Sequence, residues 1–295
     1  MKQALEHKRA CQQSALSKQK VSRLEGTQKN EVGENMLAAD QLPEDVFGAP
    51  VIHPELAIQA YTIGLFPMSD DRDDNNVHWV DPIERGILPL DDFHIPRRLK
   101  RTVAKGPYEV RCNTAVEAVI RLCAADKLGR EDTWISEPIV EMYLNLFDMG
   151  HLHTVECWQG DRLVGGLYGV AVEGAFFGES MFSIERDASK IALVELVARL
   201  KIGGFRLLDC QFMNRHLEQF GAISLHRVAF RKLLDKATAV TTAFPETLTE
   251  RELAQFLQSR SQTSNTGCSM ALSAGEEANI QPWKTASGSF SAGTS

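Results

Sequence analysis

Side chains able to do chemistry concentrate in three short stretches of this chain. One is Leu207-Leu208-Asp209-Cys210-Gln211-Phe212-Met213-Asn214-Arg215-His216. In an extended strand side chains alternate with a period of two, so Asp209 and Gln211 are expected on one face and Cys210 on the other, in the core. A carboxylate beside an amide on an otherwise apolar strand suggests a fixed glutamine. The carboxylate would hold the NH2 group and leave the amide oxygen to accept a proton or a hydrogen bond. A buried structural pair that satisfies backbone groups gives the same pattern, and His216 is read as structural. The second stretch is Phe176-Phe177-Gly178-Glu179-Ser180-Met181-Phe182. Glu179, between apolar neighbours near a strand end, either has a partner and a special role or is a solvated carboxylate on an open sheet face. Ser180 invites a nucleophile reading, but Gly178-x-Ser180-x-Phe182 lacks the closing glycine of a nucleophile elbow, so a serine hydrolase is not expected.

The third stretch, residues 93–105, carries Arg97, Arg98, Lys100, Arg101 and Lys105, with no acid between Asp92 and Glu109. On a helix opened by Pro96, Arg97, Lys100 and Arg101 share a face at i, i+3 and i+4. That makes a phosphate-binding stripe or a solvated surface helix, within a chain of net charge −7. No metal site is expected. His151-x-His153 is the only close histidine pair, and Glu156 is its nearest carboxylate. Neither a Walker phosphate loop nor a dinucleotide fingerprint is present.

The elements that must carry these residues can be read in outline. Helices are expected over 54–63, from Pro96 onward, over 114–125 with Val116, Val119, Ile120 and Cys123 inward, and over 136–149 with Gly150 as stop. Three strands follow in quick succession, 154–158, 163–172 and 175–182, joined at Gly160-Asp161 and Glu173-Gly174. A helix over 188–202, facing the core with Ile191, Val194, Leu196 and Val197, leads to a strand over 205–212 and a last helix from His226. Antiparallel strands followed by helix and strand make an α+β fold with a mixed sheet, not a doubly wound one. The first ~45 residues are polar, with weak helical character over 3–20, and the chain from 261 has the Ser/Thr/Gly/Ala composition of a disordered tail. Neither Trp283 nor Cys268 carries weight there. Six cysteines, Cys11 and Cys268 among them, show no C-x-x-C pair, which fits a reducing cytosol. With no apolar run long enough to span a bilayer and no secretory stretch, a cytoplasmic protein without a membrane partner is expected.

Several motifs then fall in the order of one family. They are Gly64-Leu65-Phe66-Pro67, Trp79-Val80-Asp81-Pro82, Thr133-Trp134-Ile135, Val164-Gly165-Gly166-Leu167-Tyr168-Gly169-Val170, Phe177-Gly178-Glu179-Ser180-Met181-Phe182-Ser183, Asp187-Ala188-Ser189-Lys190, Asp209-Cys210-Gln211, and His216-Leu217 before Phe220-Gly221-Ala222. Over residues 45–234 the chain resembles the bacterial leucyl/phenylalanyl-tRNA–protein transferases.

The resemblance implies a disordered extension (1–44), a small N-terminal α/β domain (45–92), a C-terminal N-acetyltransferase-like (GNAT-like) domain (93–240), and a short helix with a disordered tail (241–295). It implies transfer of Leu or Phe from aminoacyl-tRNA to the N-terminal α-amine, of Arg or Lys, on an acceptor protein, marking that protein for N-end-rule degradation. No metal or diffusible cofactor is implied, and a monomer is expected. By the same resemblance Asp209 orients Gln211, Gln211 accepts a proton or hydrogen bond from the attacking amine, and Asn214 steadies Asp209. Glu179, with Gly178 and Ser180 in its motif, contacts the aminoacyl-adenosine end, bordered by Trp134. Leu167, Phe176 and Leu208 line the pocket for the transferred side chain, and the basic helix meets the tRNA backbone. Two departures bear on specificity. The family's Phe-Pro-Trp is Phe66-Pro67-Met68 here, and residues 70–76 are markedly acidic, which keeps acidic acceptor N-termini open as an alternative. Two others are a coenzyme-A-dependent N-acyltransferase, which lacks its glycine loop at Asp187-Ala188-Ser189-Lys190, and a non-catalytic RNA-binding adaptor, which would need the transfer residues lost.

Overall fold

The computed structural model describes residues 52–125 and 132–259. The expected extension over 1–44, the weak helix over 3–20, Cys11, Cys268, Trp283 and the tail from 261 lie outside those residues. The chain opens with α1 (Pro54–Thr62), which has proline in its first turn, where a missing N–H costs nothing, and ends before Gly64 at φ 88°. Two short strands, β1 (Phe66–Met68) and β2 (His78–Val80), pair antiparallel beside it. Next come β3 (Glu84–Ile87), α2 (Arg97–Ala104), β4 (Glu109–Cys112), α3 (Val116–Ala124) and α4 (Glu137–Asp148). The expected core residues of α3, Val116, Val119, Ile120 and Cys123, are its buried ones.

The three expected successive strands are β5 (Leu152–Gln159), β6 (Arg162–Val172) and β7 (Ala175–Ser183), and α5 (Ala188–Ile202) has the expected bounds. Every residue of α5 from Ala188 to Leu200 except Lys190 is buried, more than a one-sided apolar stripe predicts. A helix apolar nearly all round belongs in the interior. The remaining elements are β8 (Leu207–Gln211), α6 (Arg215–Glu218), β9 (Ile223–His226), α7 (Arg227–Thr238) and α8 (Glu250–Ser259).

Seven strands form one mixed sheet in the order β4-β5-β6-β7-β8-β3-β9. Only β7 and β8 run parallel, joined by the α5 crossover. Helices cover both faces. On one, residues of α1, α3, α4 and α7 form a cluster with Phe66, Met68, Trp134, Tyr168 and Phe177. On the other, α2, α5 and α8 pack with Leu167, Phe176 and Leu208. Among the described residues no helix is long and apolar enough to cross a membrane.

Two irregularities in the ladder shape the centre of the sheet. Tyr168 pairs with Ser180 and Gly169 with Gly178, so Glu179 is the extra residue of a β-bulge within β7 and not a strand-end residue. The parallel register of β7 with β8 stops at Phe177↔Asp209, while β7 runs on to Ser183. Beyond that point β8 is held by β3, which pairs Gly86 with Gln211 and Ile87 with Asp209. One step on β3 spans two on β8, so this ladder is bulged at Cys210.

Candidate active site

Asp209 is wholly buried, and its carboxylate accepts three hydrogen bonds. Arg85, on β3, donates Nε to Oδ1 at 2.9 Å and Nη2 to Oδ2 at 2.6 Å, and the Gln211 backbone N–H donates to Oδ1 at 2.9 Å. The remaining arm of Arg85, Nη1, donates to the Gly64 carbonyl at 2.8 Å. The guanidinium lies between two rings, 4.6 Å from the centroid of Phe66 and 4.5 Å from that of Phe230.

This arrangement corrects two expectations. Asp209 does not hold the side-chain amide of Gln211; it holds the backbone N–H. Strict two-residue alternation fails because the ladder is bulged here and Gln211 adopts φ 59°, a left-handed conformation rarely taken by a residue with a Cβ. Asn214, expected to steady Asp209, instead caps α6, its Oδ1 accepting from Leu217 N–H at 2.9 Å. Cys210 packs against the opposite cluster as expected, and burial pushes its thiol well above its ordinary range. Gln211 is 2% exposed, and its Nε2 has no hydrogen-bond partner.

Glu179 lies on the neighbouring strand, buried, not solvated on an open face. Tyr61 of α1 donates to its Oε1 at 2.8 Å and Tyr143 of α4 to its Oε2 at 2.9 Å. Burial first, then the Glu179 charge, raises both tyrosine pKa values well above 10, so both hydroxyls remain donors. The Tyr61 ring rests 4.9 Å from that of Phe177, which is in register with Asp209. Residues 61–64 thus reach both networks, the Tyr61 hydroxyl donating to Glu179 itself and the Gly64 carbonyl accepting from Arg85, the partner of Asp209. The Tyr168 hydroxyl, in the same cluster, is buried without a partner.

Leu167, Phe176 and Leu208 are brought together on the opposite face of the sheet, paired across strands as Leu167↔Met181 and Phe176↔Leu208, with Met181 and Met213 packed beside them. Gly178, half-buried, sits where β7 parts from β8; a Cβ there would lie 3.4 Å from the Asp209 carbonyl and 3.8 Å from Leu208 Cδ1. Ser180 is half-buried in register with Tyr168. Trp134, buried in the first cluster with Met68, is tied to the strand end after β1, its carbonyl accepting from Ser69 N–H at 3.3 Å.

The basic helix forms, and of the three residues expected to share its exposed face only Lys100 is drawn partly inward. Lys100 is half-buried, while Arg97, Arg98, Arg101 and Lys105 are exposed. Arg98, Arg101, Thr102 and Lys105 line a shallow hollow of about 250 Å³. His216 packs on Phe220, and burial, then the nearby Lys190 charge, lower its pKa. Among the described residues one group, Asp70, Asp74 and His78, brings possible metal ligands within 4.8 Å of one another, on the surface side of the acidic loop.

Three side chains of the network, Arg85, Tyr61 and Tyr143, went unread in the sequence. An arginine directly before Gly86-Ile87-Leu88 was the available signal for the first.

Comparison with known proteins decides the family. Residues 51–83 match the leucyl/phenylalanyl-tRNA protein transferase N-terminal domain, and residues 87–235 match the leucyl/phenylalanyl-tRNA protein transferase family. The chain belongs to this family. It is an aminoacyltransferase. The leucyl/phenylalanyl-tRNA–protein transferase of Phenylobacterium zucineum (strain HLK1) is 55% identical over 187 residues, covering 63% of this chain and 85% of the relative. That of Caulobacter vibrioides (strain NA1000 / CB15N) is 56% identical over 187 residues, 63% and 86% of the two chains. That of Maricaulis maris (strain MCS10) is 50% identical over 210 residues, 71% and 97%. In this transferase Tyr61 and Gly64 lie in the first matched segment, Tyr143, Glu179, Asp209, Gln211 and Phe230 in the second, and Arg85 between the two.

Proposed function

We propose that this transferase moves Leu or Phe from aminoacyl-tRNA onto the N-terminal α-amine of acceptor proteins that begin with Arg or Lys, marking them for N-end-rule degradation. The observation that carries the reading is the Gln211 amide. It is buried, without a partner for Nε2, and at the end of the strand whose Leu208 belongs to an apolar cluster with Leu167 and Phe176. The aminoacyl side chain occupies that apolar side. Glu179 and Trp134 meet the adenosine end, near Gly178 and Ser180, and Arg97, Arg98, Lys100, Arg101 and Lys105 meet the tRNA backbone. The enzyme acts as a cytoplasmic monomer without metal or diffusible cofactor, and its C-terminal part is GNAT-like, behind a small N-terminal domain.

The chemistry asks little of a base. The neutral acceptor amine attacks the ester carbonyl, and a C–N bond forms. The tetrahedral intermediate then expels the ribose oxygen, which takes the proton the amine loses. An α-amine with a pKa of about 8 is neutral in useful fraction near neutral pH. The rate comes from holding ester and amine together and from stabilising the oxyanion. Glutamine is too weak a base to deprotonate the amine, so Gln211 serves by hydrogen bonding. Coenzyme A fits poorly, because Asp187 brings a carboxylate to the start of α5 where a pyrophosphate would need bare N–H groups.

Single-turnover transfer from charged tRNA to a peptide tests this directly. Gln211→Ala is expected to slow transfer roughly a hundredfold while tRNA affinity stays the same. Wild-type rates in that variant would remove Gln211 from the centre.

A further inference from the structure

We infer that Arg85 is a positioning residue of the transfer centre, acting on Gln211 through Asp209; this rests on the transferase reading above. The ion pair it makes is almost completely withdrawn from water, with Arg85 at 1% and Asp209 at 0% exposure. Such a pair loses in desolvation much of what it gains in attraction, and apolar side chains could fill the same space at lower cost. Its value is geometric. The guanidinium is fixed from three sides: by the Gly64 carbonyl after α1, by the Phe66 ring on β1, and by the Phe230 ring on α7. A planar fork with several donors satisfies these contacts and both Asp209 oxygens at once, which a lysine ammonium cannot.

What this fixed carboxylate holds is the backbone of Gln211. The N–H of Gln211 donates to the same oxygen that receives Arg85 Nε, while Gln211 sits at φ 59°. A non-glycine residue keeps that conformation only where its surroundings determine it. The strand that carries Arg85 also supports the backbone. Gly86 pairs with Gln211, and a Cβ on Gly86 would come within 2.9 Å of the Met213 nitrogen and the Phe212 carbonyl carbon. The side chain so positioned ends in a buried donor with no acceptor in the protein, which leaves it available to donate to a substrate oxygen at the transfer centre. Because Asp209 spends its carboxylate on Arg85 and on a backbone N–H, it transmits position rather than a proton.

The test compares Arg85→Lys, Gln211→Ala and the double variant in single-turnover transfer, with tRNA Kd and thermal unfolding measured alongside. Arg85→Lys is expected to lower the transfer rate roughly tenfold or more and to leave tRNA Kd within about twofold. The double variant is expected to be no slower than Gln211→Ala alone, because the lysine acts only through the side chain already removed. Losses that multiply in the double variant, a loss confined to tRNA Kd, or a wild-type rate in Arg85→Lys would each overturn the proposal. Should Arg85→Lys fail to fold, Phe230→Leu removes one ring and no hydrogen bond. Its smaller rate loss must likewise vanish when Gln211 is alanine, and its persistence there counts against the proposal. Absence of transfer by the wild-type enzyme would overturn the transferase reading itself, an outcome separate from all of these.

Discussion

Two carboxylates on adjacent strands receive opposite treatment. Asp209 is neutralised by an arginine, whereas Glu179 is held by two tyrosine hydroxyls that burial keeps protonated. Removing one of those donors leaves a buried carboxylate oxygen short of a partner. Tyr61→Phe should therefore cost about 1–3 kcal/mol of stability in urea unfolding. An unchanged midpoint would mean that the Tyr61–Glu179 bond does not form in solution. Asp209, Gln211 and Glu179 were legible in the sequence because polar residues in apolar runs stand out. Their partners were not. Arg85 reaches Asp209 across 124 positions and Tyr61 reaches Glu179 across 118, separations that no local pattern encodes.

The helices and the central strands follow from local signals. Proline at the start of α1, Gly150 after α4 and the hairpin glycines set their limits, and α5 carries its own apolar surface. Local signals miss the bulges and the short strands β1, β2, β3 and β9; the four residues of β3 become a strand only because β8 and β9 lie on either side. Three of these misses fall at the site: two bulges aim Glu179 and reorient Gln211, and β3 supplies Arg85. The packing of α5 on β6 is equally demanding. A Cβ on Gly165 would lie 2.4 Å from the Ala188 Cβ, so Gly165→Ala should push the start of α5 off the sheet and destabilise the enzyme by about 1–3 kcal/mol. Thermal unfolding at the wild-type midpoint would show that this interface has slack.

At the scale of the molecule, the two faces of the sheet differ in chemical character. The Tyr61–Glu179 and Arg85–Asp209 networks occupy one side, and the apolar residues Leu167, Phe176 and Leu208, with the basic helix α2 beyond them, occupy the other. Gly178 and Gln211 lie just beyond the last registered pair of β7 and β8, Phe177↔Asp209. The acidic loop over 70–76 and Met68 are the sequence features that bear on acceptor choice in the proposed reaction. The most direct measurement is therefore a transfer assay in which labelled Leu-, Phe- and Arg-tRNA are each offered to peptides beginning with Arg, Lys, Asp or Glu. The proposed function predicts label from Leu- and Phe-tRNA on the Arg and Lys peptides alone. Label from Arg-tRNA, label restricted to the Asp and Glu peptides, or no label under any pairing would contradict it.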